Sequence, residues 1–252
     1  MTQTTALTQQ NKINALTGGD DQSRFLLYQL KMSMADATGI DLIVSFLMES
    51  GVRLILEDLQ SAIDRGISVR ILTGNYLGIT QPSALYLIKQ KLGDQVDLRF
   101  YNEKERSFHP KAYIIHHSSY HELYIGSSNI SHSALTRGIE WNYRFTDKAD
   151  PASYASFYHT FQDLFEHHSI PIDDEELKRY AQNWHQPAVA KDLAKYDDDQ
   201  ASDVHVIYEP REAQIEALCA LENSRAEGAR RALVYAATGN GGIIVPSQAK
   251  TA

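Results

Sequence analysis

The chain of 252 residues has room for one large domain, or one domain plus a fragment of another. At 43% hydrophobic and 22% charged it has a globular composition, and no apolar run approaches the roughly 20 residues needed to cross a bilayer. A single cysteine, Cys219, excludes an internal disulfide framework and a cysteine-based zinc site, and a net charge of −8 argues against a nonspecific nucleic-acid binder held by charge alone.

The polar start, Met1–Gln10, lacks the basic and apolar segments of a secretion signal, so a cytoplasmic location is expected. Residues 1–20 read as a flexible lead. Apolar Phe25, Leu26, Leu30, Met32 and Met34 predict a helix over 22–37. Residues 40–46 read as a buried strand. Val52, Leu54, Ile55, Leu59 and Ile63 predict a helix over 51–65, ended by Gly66. A strand is expected over 68–73, a helix over 81–92 and strands over 96–101, 111–116 and 123–125. A short helix over 131–136, a strand over 141–145 and an aromatic-faced helix over 151–167 follow. The strand–helix–strand repetition predicts a layered α/β/α sandwich with a mixed, largely parallel sheet and active-site groups at strand ends. Residues 21–168 form that domain. Residues 169–202 read as a helical linker with acidic runs, and 203–252 as a mainly helical C-terminal fragment.

The chemistry concentrates in Phe108-His109-Pro110-Lys111, Gly126-Ser127-Ser128-Asn129-Ile130-Ser131 and Gly138-Ile139-Glu140-Trp141-Asn142. On a strand, His109 and Lys111 share a face, and Asn129 and Ser131 share the same parity on a second segment. A nucleophile, a fixed cation, an amide and a carboxylate can meet at the ends of adjacent strands. That set suits attack on a phosphodiester without a metal. Arg106 is a further candidate for holding substrate, with Ser127 and Ser131.

This pattern resembles the phospholipase D superfamily, whose motif is His-x-Lys, a spacer and Gly-Ser-x-Asn. Here His109-Pro110-Lys111 and Gly126-Ser127-Ser128-Asn129 match it, and Glu140 resembles the carboxylate of the metal-independent endonucleases in that superfamily. The chain departs from the family at His116, where an Asp is usual. The resemblance implies that His109 attacks phosphorus and forms a covalent phosphohistidine. Lys111 and Asn129 would hold the non-bridging oxygens, Ser131 would add a hydrogen bond and Glu140 would orient His109. No cofactor is required. One copy of the motif, where family members use two histidines, implies a homodimer in which His109 of each chain meets at one shared site.

Further along, Pro210-Arg211 with Gln214 resembles the adenine-reading motif of superfamily 2 helicases, and Ala237-Thr238-Gly239 the approach to a phosphate-binding loop. Asn240-Gly241-Gly242 replaces the usual Thr-Gly-Lys, so Gln214 is expected to be non-functional here and ATP hydrolysis is not expected. ATP and magnesium would belong to a full-length helicase, of which this chain reads as a truncated start.

The reading is a metal-independent DNA phosphodiesterase of a nuclease–helicase, in restriction, phage defence or repair. The alternatives are a non-catalytic dimerising module that docks DNA, and a phospholipase or phosphatidyltransferase. Membrane attachment is not expected. His116, His117 and His121 read as strand and turn surface residues rather than a metal cluster, and Trp141 and Tyr143 as core residues with a conceivable base-stacking role.

Overall fold

The computed structural model describes residues 13–19, 21–74, 78–103, 106–184 and Arg225. The chain divides into two compact units, residues 1–185 and 186–252. Gln214 and the helicase-like stretch fall outside the described residues.

In chain order the first unit contains β1 (Ala15–Leu16), α1 (Leu26–Met34), β2 (Gly39–Val44), α2 (Glu49–Asp64), β3 (Ser68–Gly74), α3 (Pro82–Leu92) and β4 (Val96–Tyr101). Then come β5 (Lys111–His116), β6 (His121–Gly126), α4 (His132–Thr136), β7 (Asn142–Thr146), α5 (Pro151–His167), β8 (Ser169–Pro171) and α6 (Asp174–Asn183). Local chemistry sets several boundaries. Pro82 opens α3, where its missing N–H has no helical partner to lose. Asp150 caps α5 by accepting from the Ser153 N–H. Gly66 follows α2 at φ 78°, a conformation that favours glycine.

The sheet has eight strands in the order β1-β7-β6-β5-β2-β3-β4-β8. Here the expectation of a largely parallel sheet is corrected. Only β2–β3 and β3–β4 pair in parallel; the other five pairings are antiparallel. Helices α2 and α3 are the crossovers that parallel pairing requires, whereas β5 and β6 are joined through residues 117–120 alone, too few for a crossover, and β7 returns antiparallel to β6 after α4.

Two cores cover the two faces. Ile40, Leu42 and Val44 of β2 pack with Leu30, Val52, Ile55 and Leu85 of α1, α2 and α3. Ile43, Leu72, Ile114 and Leu123 pack with Tyr154, Phe161 and Phe165 of α5 on the other face. This is an α/β/α sandwich with most helices on one side. The expected linker from residue 169 is part of this body. Strand β8 pairs with β4, Ile172 and Leu177 lie in the first core, and the Tyr180 hydroxyl donates to the Thr80 carbonyl at 2.7 Å. Likewise Leu16, in the expected flexible lead, is fully buried, and β1 pairs with β7.

Candidate active site

The C-terminal ends of β2, β3, β4 and β6 share one edge of the sheet with the N-terminal ends of β5 and β7. The register fixes this: Val44 faces Lys111, Ala112 faces Ile125, and Gly126 faces Asn142. All three motif segments therefore arrive at one edge, although they are separated in sequence.

The His109-Pro110-Lys111 segment enters β5 from an anchored residue. Phe108 is buried and stacks on Tyr101, with ring centroids 4.5 Å apart. Lys111 is 7% exposed, and its ammonium donates to the His109 carbonyl at 3.0 Å. His109 is half-buried.

Asn129 is also 7% exposed. Its Oδ1 accepts from the backbone N–H of Ser45 at 3.1 Å and of Phe46 at 3.3 Å. Two donors on one side of a planar amide fix which end is oxygen and direct the Nδ2 donor away from them. Ser45, just past the end of β2, also donates its hydroxyl to the Pro110 carbonyl at 3.3 Å. One residue thus ties the amide to the histidine–lysine segment. Ser45 is absent from the sequence motif; its only signal was a hydroxyl at the end of a buried apolar strand.

Two further ties hold the Gly126–Asn129 segment. The buried Tyr113 hydroxyl donates to the Ser128 carbonyl at 2.9 Å. Burial first, then the charge of Glu140, push this phenol well above its ordinary pKa. Ser127 donates to the Glu140 carboxylate. The Ser127 N–H also donates to the Trp141 carbonyl at 3.1 Å, and the Trp141 N–H donates to the Ser127 hydroxyl oxygen at 3.1 Å. A Cβ on Gly126 would collide with the Trp141 carbonyl oxygen, so this approach needs glycine.

The remaining predicted residues have different placements. Ser131 accepts from the Ala134 N–H at 3.2 Å and caps α4, so its hydroxyl oxygen is engaged locally. Arg106 is exposed three residues before His109. Trp141 and Tyr143 are not core residues: they are 72% and 54% exposed. Of the three histidines at the opposite end of the sheet, expected at the surface, His116 and His121 are half-buried and His117 is not a surface residue. His117 is buried, and His116 bonds Asp41 at 2.8 Å and His121 at 3.0 Å. Asp41 in turn accepts two bonds from Arg70, at 2.6 and 2.7 Å.

The sequence matches the family described as cardiolipin synthase, PLD-like domain, over residues 30–168, more than half of the chain. The chain belongs to this family. Among solved structures, the PLD-like domain is similar to a phospholipase D family member, Nuc from Salmonella typhimurium, at TM-score 0.47 and 19% identity, covering 58% of this chain and 90% of that one. NucT from Helicobacter pylori aligns at TM-score 0.44 and 20% identity, with the same two coverages, 58% and 90%. Phosphatidylserine synthase from Haemophilus influenzae gives TM-score 0.51 and 13% identity, covering 82% of this chain and 46% of that one. At that identity the likeness supports the fold alone. No curated protein matches the chain. No helix among the described residues is long and apolar enough to cross a membrane.

Proposed function

We propose that the PLD-like domain is a metal-independent phosphodiesterase that cuts DNA, acting in the cytoplasm as the nuclease part of a nuclease–helicase. The observation that carries the reading is the double engagement of Ser45. Its N–H bonds the Asn129 amide at 3.1 Å and its hydroxyl reaches the Pro110 carbonyl at 3.3 Å, so one residue links an oriented donor to the histidine–lysine segment. Rigid donors aimed at developing charge are what phosphoryl transfer needs most.

In the first step a ring nitrogen of His109 bonds to phosphorus and the phosphorus–oxygen bond to the leaving strand breaks. The leaving oxygen takes a proton from a general acid. Water then attacks phosphorus, passes a proton back to that same group, now acting as base, and the nitrogen–phosphorus bond breaks, restoring His109. Lys111 and Asn129 Nδ2 would stabilise the non-bridging oxygens, and Glu140 would fix the His109 tautomer. The general acid is assigned to His109 of a second copy in a twofold dimer. DNA is favoured as substrate by the helicase-like stretch around Gln214.

Covalent trapping tests the reading. Full-length protein incubated with a small phosphodiester in EDTA and quenched in alkali should carry an acid-labile, base-stable phosphoryl adduct on His109 by peptide mass mapping. The adduct should vanish in His109→Ala. Turnover without any adduct, or turnover that requires magnesium, would overturn it.

A further inference from the structure

A stripe of apolar side chains leads away from the site along β7. Ile139, Trp141 and Tyr143 are 83%, 72% and 54% exposed. Trp141 immediately precedes β7, and Tyr143 and Phe145 alternate along it and share a face. The Tyr143 and Phe145 rings lie 6.4 Å apart and 25° from parallel, and Phe145 is 6.2 Å from Phe157 of α5. Adjacent exposed apolar groups of this size mark an interaction surface. Trp141 is also held in place: its N–H and its carbonyl both bond Ser127, whose hydroxyl bonds Glu140.

We propose that Trp141 and Tyr143 form a stacking platform for unpaired bases, so that the strand presented to His109 is single-stranded nucleic acid. The inference rests on the phosphodiesterase reading and narrows its substrate class. Rings on one face of a strand recur every two residues, about 6.7 Å. The Tyr143 and Phe145 centroids, 6.4 Å apart, follow that repeat, which is close to twice the ~3.4 Å rise of stacked bases. A base inside a duplex is already stacked on both faces and cannot use such a platform; an unpaired base can. The net charge of −8 also weakens a grip made by phosphate contacts alone, which leaves stacking to supply sequence-independent affinity. Exposed Arg137, two residues before Ile139, and exposed Arg106, three before His109, supply cations on the segments that lead into the candidate site.

The test compares wild type, Trp141→Ala and Trp141→Phe as full-length proteins. Binding of fluorescein-labelled (dT)15 and of a 15-base-pair duplex is titrated in EDTA at low salt, each variant on a His109→Ala background to prevent cleavage. Turnover of bis-p-nitrophenyl phosphate is measured with His109 intact. The expected result is a loss of about tenfold or more in (dT)15 affinity for Trp141→Ala, near-wild-type affinity for Trp141→Phe, and weaker duplex binding throughout. Turnover of the small diester reports separately whether the candidate site is still assembled in each variant. Equal (dT)15 affinity in all three proteins overturns the platform while leaving the phosphodiesterase reading intact. Conversion of a dimer to monomers by Trp141→Ala in sedimentation would make the stripe a self-interface. Loss of binding to phosphatidylglycerol vesicles with (dT)15 affinity retained would make it a lipid surface; either result overturns the platform. If no protein turns over the small diester while (dT)15 binding still depends on Trp141, the catalytic reading fails and the platform stands.

Discussion

The Asn129 side-chain oxygen accepts the backbone N–H groups of Ser45 and Phe46, 84 and 83 residues away in sequence. This relationship makes the amide a structural post and a directed donor together, and the two roles separate by substitution. Asn129→Ala leaves two N–H groups without their acceptor, at a cost of about 1–3 kcal/mol each where water cannot reach them. Asn129→Asp keeps an acceptor but replaces the Nδ2 donor with negative charge. The expected result is a clear fall in Tm for Asn129→Ala and a smaller one for Asn129→Asp, with phosphodiesterase turnover down at least about a hundredfold in both. Thermal unfolding beside a diester assay checks the pair.

Ser45→Ala removes the bond to Pro110 but spares the backbone N–H that holds Asn129. A neutral hydrogen bond is worth about 0.5–1.5 kcal/mol, so stability should change little. The histidine–lysine segment should lose its fixed distance from the amide, and kcat should fall about tenfold or more with KM nearly unchanged. A Tm drop that accounts for the whole activity loss would show Ser45 to be merely structural.

Gly126→Ala drives a methyl group into the Trp141 carbonyl and the Asn142 side chain. Backbone atoms cannot swing aside as a flexible side chain can, so the clash should cost about 1–3 kcal/mol or more. It should also displace Glu140 from Ser127. Chemical denaturation measures the first effect, and loss of diester turnover at a temperature where the variant is still folded measures the second.

Acid should erode stability in two stages. Burial of His121, with the charge of His116, lowers its pKa, against a smaller opposing pull from Asp147. A histidine whose folded pKa lies below its unfolded value of about 6.5 is fully stabilising above that value and loses the contribution as pH falls through the folded pKa. Burial alone would raise Asp41, but hydrogen bonds from His116 and Arg70 outweigh it and hold the carboxyl below its ordinary range. Its contribution is present above about pH 4 and is lost below. Tm should therefore be level above neutrality, decline below about pH 6.5, and decline again below about pH 4. His121 stacks on Tyr154, so His121→Phe preserves the packing. It should flatten the first decline and leave the second. An unchanged first decline in that variant would contradict the assignment.

The arrival of the candidate motif segments at one end of the sheet was legible because each segment is local and carries its own spacing. The expectation that His109 and Lys111 alternate along one strand does not apply, since β5 begins at Lys111. Ser45 was not legible, since its role exists only after β2 is threaded beside β5. Strand positions were recovered closely, with 96–101 and 111–116 matching β4 and β5. Strand direction was not. Alternation of apolar residues is the same in parallel and antiparallel pairings, and the short connection between β5 and β6 was outweighed by the earlier crossover pattern, which the helix between β6 and β7 resembles. Trp141 and Tyr143 were misplaced in the core for a related reason: an aromatic residue reports that a strand face is apolar, not that a helix covers it. Burial of Leu16 and Ile172 likewise depended on distant pairing of β1 and β8 with the sheet edges.

The central claim is a metal-free histidine nuclease, and cleavage of end-labelled DNA in excess EDTA at low salt tests it most directly. Wild-type protein should cut under these conditions, and His109→Ala should lose at least about a thousandfold in rate while remaining folded. Cleavage by His109→Ala at the wild-type rate, or cleavage by wild type only after magnesium is restored, would contradict the account.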